Sequence, residues 1–160
     1  MPKKNLMVAL MINFANLVLA ALVVGAMFGV WLFLNPRGLD ANSYITLQQQ
    51  AIRTMNSVMP ALGAATVLVT IIAAVLGRAD RERLCLLLAA GVCFVAIGLI
   101  TRFLNQPINA IVMTWRAELP PSNWTLLRDA WWRWHLVRLA IGFVGLSLLV
   151  VATLKPGWSG

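Results

Sequence analysis

The chain has 160 residues, of which 61% are hydrophobic and only 11% are charged, and its mean hydropathy is +0.82. Soluble domains are about 45–50% apolar and about 25% charged. Because a chain this small buries only a modest share of its surface, it cannot hide this much apolar surface from water. The composition therefore excludes a soluble domain, a disordered chain and a disulfide scaffold, and it indicates an integral membrane protein.

The net charge is +8, from 13 lysines and arginines against five acidic residues. In a soluble protein this excess suggests nucleic-acid binding. Here the basic residues flank apolar segments, where lipid headgroups and membrane topology account for them. We therefore expect membrane lipids among the partners and no nucleic acid.

Four apolar segments fit the length of a membrane span, which is about 17–25 residues. They cover about residues 6–34, 60–76, 84–100 and 136–154. Within lipid the backbone of each must be helical. The sequence therefore predicts an all-α fold, an integral membrane four-helix up-and-down bundle, in a single membrane domain over residues 1–160.

The distribution of lysines predicts the orientation. Residues 1–4 resemble the start of a signal peptide, but the apolar run after them continues to Leu34, far beyond a signal core of about 7–15 residues. We expect a retained first helix. The N-terminal lysines, the short loop 77–83 and Lys155 fall on one side of a four-span chain, which the positive-inside rule makes cytoplasmic. Seven arginines lie on the other side, so a bare count of basic residues does not decide the orientation. The lysines and the short loop carry more weight, and they predict a cell (inner) membrane protein with both termini cytoplasmic.

The two outer connections, residues 35–59 and 101–134, are long and are predicted to add helical elements on the outer face. Asp40 and its polar neighbours can cap a helix that enters the second span. Pro107 should kink or break the third helix. Ser122 or Asn123 can cap a fourth helix over 123–154.

Polar and aromatic residues recur at helical steps of three and four on the second, third and fourth helices. These stripes are Gln49/Arg53/Asn56, Arg102/Asn105/Asn109 and Trp124/Arg128/Trp131/His135/Arg138. Asp129 and Arg133 can form an ion pair beside the last of them. Ionisable groups at membrane depth are costly unless they pair or line a polar cavity. We therefore expect a polar, aromatic-walled pocket at the outer mouth of the bundle.

Each of these residues also has a plainer interpretation. His135 can be a hydrogen-bonded structural residue, and residues 131–134 can form an interfacial aromatic belt. Arg102 and Arg138 can extend to lipid headgroups. The sequence lacks the residues that several kinds of site require. A single histidine excludes a bis-histidine haem, and no carboxylate cluster suits a di-metal site. We expect no metal and no cofactor.

The motif Asn105-Gln106-Pro107-Ile108-Asn109 is followed by residues with a characteristic spacing: Trp115, Trp124, Arg128, Trp131, His135 and Arg138. Upstream features fit the same pattern: Gly25, Gly29, Pro36, Gln49, Asn56 and Met59-Pro60. Together they resemble the anthrone oxygenase family of small four-span membrane proteins. The resemblance extends from about Gly25 to about Gly145.

The resemblance implies oxidation of a polycyclic anthrone by O₂ without metal, haem or flavin. It implies a catalytic set in which His135 is the base and Arg138 or Arg102 stabilises the enolate oxygen. The substrate-binding residues that it implies are Asn105, Asn109, Trp115, Trp124, Arg128, Trp131, Gln49, Arg53 and Asn56.

A second interpretation stays open. The fold can serve as a non-enzymatic subunit that binds a quinone, lipid or pigment within a larger membrane complex or a homo-oligomer. A transporter is less favoured, since four spans without an internal repeat do not match the usual architectures.

Overall fold

The computed structural model describes residues 3–155, and the side chains from residue 7 onward. Met1 and Pro2, the first half of the signal-like N-terminus, lie outside the described residues. The elements are α1 (Lys3–Phe33), a 3₁₀ turn (Pro36–Gly38), α2 (Ala41–Leu76), α3 (Arg81–Ile100), a π turn (Thr101–Asn105), α4 (Gln106–Val112) and α5 (Trp124–Leu154). Four helical segments are long and apolar enough to cross a membrane. The all-α, four-helix architecture is therefore confirmed.

The long helices pack in a ring in the order α1, α2, α3, α5, each against its two neighbours. The main core lies between them and is built from small and aliphatic side chains, including Ala20, Val24, Leu87, Ala90 and Leu149. A second apolar cluster ties α2 to α4 and α5 at the other end of the bundle. Its buried members are Ile52, Ile108, Val112, Trp131 and Trp132.

Helix α2 is one continuous element of 36 residues, so the predicted outer helix and second span are joined. Asp40 caps it, because its Oδ1 accepts from the Ser43 backbone N–H at 3.0 Å and its Oδ2 accepts from the Ser43 hydroxyl at 2.7 Å. Pro60 lies inside the helix and removes one backbone donor without ending it. Residues from both halves of α2 can therefore face the same space in the bundle.

The sequence predicts a kink or break at Pro107, and the structure has a π turn just before it, within a continuous helical stretch over Arg81–Val112. Proline has no N–H, and its ring crowds the carbonyl four residues earlier, here that of Phe103. The turn over Thr101–Asn105 accommodates this, and the Gln106 N–H donates to the Thr101 carbonyl across five residues.

Helix α5 matches its predicted bounds to within one residue. The predicted cap is wrong at Asn123, whose side chain bonds to no helix N–H in the described part of the chain. The physical reason is its backbone conformation, φ −96° and ψ 12°, because a capping side chain needs the extended region to reach back to the helix.

The loop between α2 and α3 contacts the end of α5. Asp80 caps α3 by accepting from the backbone N–H groups of Glu82 and Arg83, both at 3.1 Å. The Lys155 ammonium lies 3.5 Å from Asp80 Oδ1 and also donates to the Glu82 carboxylate. Lys155 and this loop therefore share one end of the bundle, as the topology argument requires.

Protonation of Asp80 is expected to destabilise the fold at acid pH. The Arg83 N–H and, more weakly, the charge of Lys155 hold the pKa of Asp80 below its ordinary value of 3.8. This lowered pKa makes Asp80 stabilising above about pH 4, and the contribution is lost as pH falls through the folded-state pKa. Thermal melts in detergent should show that Asp80→Asn, which still caps, loses part of this acid dependence. Asp80→Ala should melt lower than Asp80→Asn at neutral pH; equal melting of the two would contradict the capping role.

Candidate functional site

A cavity of about 590 Å³ lies inside the ring of helices, with walls from α1, α2, α3, the π turn, α4 and α5. Its volume is within the range of about 300–1,000 Å³ that is typical of small-molecule sites. Polar side chains line the end of the cavity near the π turn: Gln48, Asn56, Thr101, Arg102, Asn105, Gln106, Asn109, His135 and Arg138. We call this part the polar end.

His135 is buried in the polar end, with 1% of its surface exposed. Its Nε2 lies 3.1 Å from the Met27 carbonyl oxygen, and its Nδ1 lies 3.3 Å from Arg138 Nη2. A carbonyl only accepts and a guanidinium only donates. The proton therefore sits on Nε2, the ring is neutral, and the lone pair of Nδ1 points to Arg138.

Two tryptophans fix the plane of the His135 ring. Trp131 and Trp132 stack on it with centroid distances of 5.4 and 5.3 Å and interplanar angles of 4° and 17°. The Trp131 Nε1–H donates to Asn109 Oδ1 at 2.9 Å, which links this stack to α4. The imidazole is thus preorganised by stacking as well as by hydrogen bonds.

Arg138 bridges α5 to the π turn. Its Nη1 donates to the Thr101 hydroxyl at 2.8 Å, while Nη2 donates to His135. Its Nε is buried without a hydrogen-bond partner among the described residues, and so is Asn105 Oδ1, although Asn105 Nδ2 donates to the Trp131 carbonyl at 3.1 Å. The polar end therefore holds one buried donor and one buried acceptor in excess, which is rare in a folded interior.

Seven residues singled out from the sequence line this cavity: Asn56, Arg102, Asn105, Asn109, Trp131, His135 and Arg138. Arg102 lies on its exposed rim. Five others lie outside the cavity: Gln49, Arg53, Trp115, Trp124 and Arg128. The structure adds Gln48 and Thr101, which the stripes did not include, and the backbone carbonyl of Met27.

The outlying residues have structural contacts of their own. Trp124 packs against the buried Tyr44 ring at 5.8 Å, and the Arg128 guanidinium lies 4.8 Å above the Trp124 ring. Arg128 also pairs with Asp129 at 3.0 Å. The predicted Asp129–Arg133 pair is therefore wrong, because the Arg133 guanidinium lies over Trp134 instead.

Gln49 fastens the loop after α4 to α2. Its Nε2 donates to the carbonyl oxygens of Val112 and Trp115, both at 2.9 Å. Its role in the structure is therefore to hold the chain after α4 against α2, outside the cavity. The neighbouring Gln48 is buried and lines the polar end.

Replacing Gln49 with alanine should destabilise the protein by about 1–3 kcal/mol, because the Trp115 carbonyl would lose its donor and the Val112 carbonyl would keep only the Trp115 N–H. Hydrogen exchange should rise in the loop after Val112. Gln50→Ala is the matched control, since Gln50 is exposed and only its backbone carbonyl accepts a bond, from Thr54. Equal effects of the two substitutions would show that Gln49 does not hold the loop.

The fold and the cavity define a small multi-pass membrane protein with a buried polar site between its helices. The family profile described as anthrone oxygenase matches residues 49–148, more than half of the chain. The protein therefore belongs to the anthrone oxygenase family. No curated protein and no solved structure matches the chain.

Proposed function

We propose that the protein oxidises a hydrophobic polycyclic phenol of the anthrone type with O₂ inside this cavity. The observation that carries the proposal is the contact of His135 with Arg138 beside Asn105, on the wall of a ligand-sized cavity in a member of this family. The arrangement supplies a neutral imidazole, a cation next to it and a polar side chain that can orient a phenol.

The chemistry that we propose needs little from the protein. A base removes a proton from the CH₂ opposite the anthrone carbonyl, and the aromatic enolate gives an electron to O₂. The two radicals combine at that carbon, and loss of water leaves a second carbonyl. Anthrone and O₂ thus become anthraquinone and water, and the substrate itself is the reductant, so we propose no cofactor.

His135 Nδ1 is the base in this proposal. The Met27 carbonyl accepts from Nε2–H, which fixes the tautomer and stabilises the imidazolium that forms. The N–H group of Arg138 that donates to His135 Nδ1 must then donate to the enolate oxygen instead. The bond from Arg138 to Thr101 keeps the guanidinium in place. The same movement frees the base and places positive charge where negative charge develops.

Asn105 and Asn109 orient the substrate. The unpartnered Asn105 Oδ1 is suited to accept from a phenol O–H, and the unpartnered Arg138 Nε to donate to an adjacent carbonyl oxygen. Asn109 acts through Trp131, whose ring it holds by the indole N–H. Arg102 lies on the exposed rim, where its charge is screened, so Arg138 is the stronger candidate for the enolate oxygen.

We also propose that the polar end faces the outer side of a cell membrane and that both termini are cytoplasmic. Lys155 and the Asp80 loop lie together at the end of the bundle opposite the polar end. This placement supports the orientation, because short basic segments favour the cytoplasm.

Oxygen uptake by the purified protein in detergent tests the function, with 1,8-dihydroxyanthrone as substrate and with quinone absorbance recorded in parallel. We expect uptake well above the spontaneous rate, one O₂ consumed per quinone formed, and no effect of a chelator. Uptake at the spontaneous rate, or uptake that a chelator abolishes, would overturn the proposal. Quenching of tryptophan fluorescence by the anthrone without turnover would favour the quinone- or pigment-binding role.

A further inference from the structure

The cavity extends well beyond its polar end. Its inner part runs between α2 and α3 and is lined by apolar residues and glycines: Pro60, Gly63, Ala64, Val67, Leu68 and Ile71 of α2, and Phe94, Val95 and Gly98 of α3. We call this part the seam. Among the described lining residues, the seam contributes no charged or hydrogen-bonding side chain.

The seam opens sideways. Leu68, Ile71 and Val95 line the cavity and are also 60%, 53% and 44% exposed, respectively. All three lie on helices that are long and apolar enough to span a membrane. In a bilayer their exposed surface meets lipid tails, because every spanning segment is surrounded by hydrocarbon. The seam is therefore a lateral opening from the hydrocarbon into the cavity.

The seam is open at its two glycines, and α2 and α3 come into contact nearer the Asp80 loop. A Cβ added at Gly63 or Gly98 would meet no described atom within 4 Å. Nearer the Asp80 loop, a Cβ at Gly91 would lie 3.7 Å from Thr70 Cγ2, which is ordinary contact between α3 and α2. The contact at Gly91 thus limits the seam on the side of the Asp80 loop, and in the other direction the seam continues into the polar end.

The length of the cavity exceeds that of a fused-ring ligand. From Gln48 to Ile71 the lining of α2 covers 24 residues, which is about 35 Å along a helix. A planar three-ring phenol fills only the part beside the polar end. The remaining space is narrow, apolar and continuous with the first, so it fits a chain attached to the ring.

We propose that the natural ligand is a lipid-soluble phenol of the anthrone type that carries a single long alkyl or isoprenoid chain. Its ring lies at the polar end beside Asn105 and His135, its chain lies in the seam, and it enters laterally from the bilayer. This inference rests on the proposed function for the placement of the ring and names the substrate class for that site.

The chain contributes selectivity more than affinity. Lipid tails are as apolar as the seam, so moving a chain from lipid into the seam gains little free energy. A bulky side chain introduced into the seam, in contrast, should exclude the ligand's chain while leaving the ring site open. The decisive comparison is therefore between a ligand with a chain and one without, in variants that narrow the seam.

The test is a titration of tryptophan fluorescence with two anthraquinones, the product class of the proposed reaction, one bearing a ten-carbon chain and one bearing only a methyl group. Concentrations are expressed as mole fractions in the detergent. Gly63→Phe should weaken binding of the chain-bearing quinone by about tenfold or more and change that of the methyl quinone less than twofold. Gly25→Phe is the matched control, since Gly25 is exposed on α1 with no described atom near its Cβ position and lies outside the cavity; it should affect neither ligand.

If Gly63→Phe leaves both affinities unchanged, the chain does not lie in the seam, and the proposed function stands without it. If it weakens both equally, the variant disturbs the ring site and the proposal is overturned. If neither quinone quenches the wild type, the ring placement fails as well. Quenching by lipids with brominated tails that Gly63→Phe abolishes, without an effect on either quinone, would assign the seam to a membrane lipid instead.

Discussion

Replacing His135 with glutamine is expected to lower the rate of anthrone oxidation by about 10²–10⁴-fold while the fold persists. A glutamine amide can still donate to the Met27 carbonyl and accept from Arg138, the two bonds that His135 makes. It cannot take up a proton at neutral pH. The substitution therefore separates basicity from structure more cleanly than alanine, which would remove both of these bonds.

Arg128→Gln provides the control for this prediction. Arg128 lies on the same helix and belongs to the same sequence stripe, but it packs over Trp124 outside the cavity. Its variant should oxidise the substrate at close to the wild-type rate. Initial rates of oxygen uptake and circular dichroism spectra of both variants decide the matter. A His135→Gln protein that folds normally and retains its rate would remove His135 from the mechanism.

The second large effect is expected at Gly145. A Cβ added there would lie 3.0 Å from Cys93 Cβ and 3.2 Å from a ring carbon of Phe94. Cys93 Cβ is fixed by the α3 backbone, so the helices must separate to make room. Gly145→Leu should destabilise the protein by about 1–3 kcal/mol or more, as overpacking of a filled contact does. Gly142→Ala should be milder, because the atom it approaches most closely, Met27 Cε, ends a flexible side chain.

Gly25→Ala is the matched control, since its added Cβ meets no described atom within 4 Å. In a helix, alanine is normally more stable than glycine by about 0.5–1 kcal/mol. The expected sign is therefore opposite at the two positions: Gly25→Ala should raise the free energy of unfolding, and Gly145→Ala and Gly145→Leu should lower it. Unfolding titrations in mixed micelles measure both. A Gly145→Leu protein as stable as the wild type would mean that α3 and α5 do not approach each other this closely.

The sequence predicted the helices well because hydropathy and proline act locally. The four apolar segments and Pro107 were sufficient to place α5 to within one residue and to mark the irregular turn that follows α3. Trp131, His135 and Arg138 of α5 all line the cavity, since an uninterrupted helix keeps them on one face over two turns.

Other parts of the site depend on contacts that leave no local signal. Three consecutive glutamines begin at Gln48, and spacing alone cannot tell which of them faces the cavity and which holds a loop. The partner of His135 Nε2 is a backbone carbonyl 108 positions away, at Met27, and any residue there would offer the same oxygen. The Arg138–Thr101 bond likewise depends on how the π turn orients its first residue.

Proton removal without oxygen tests the central claim most directly. The protein is incubated anaerobically with 1,8-dihydroxyanthrone in D₂O, and loss of the CH₂ signal is followed by NMR. If His135 abstracts this proton, the wild type will accelerate deuterium exchange far above the spontaneous rate, Arg128→Gln will do the same, and His135→Gln will not. Exchange at the spontaneous rate in a protein that nevertheless speeds oxygen uptake would contradict base-assisted oxidation.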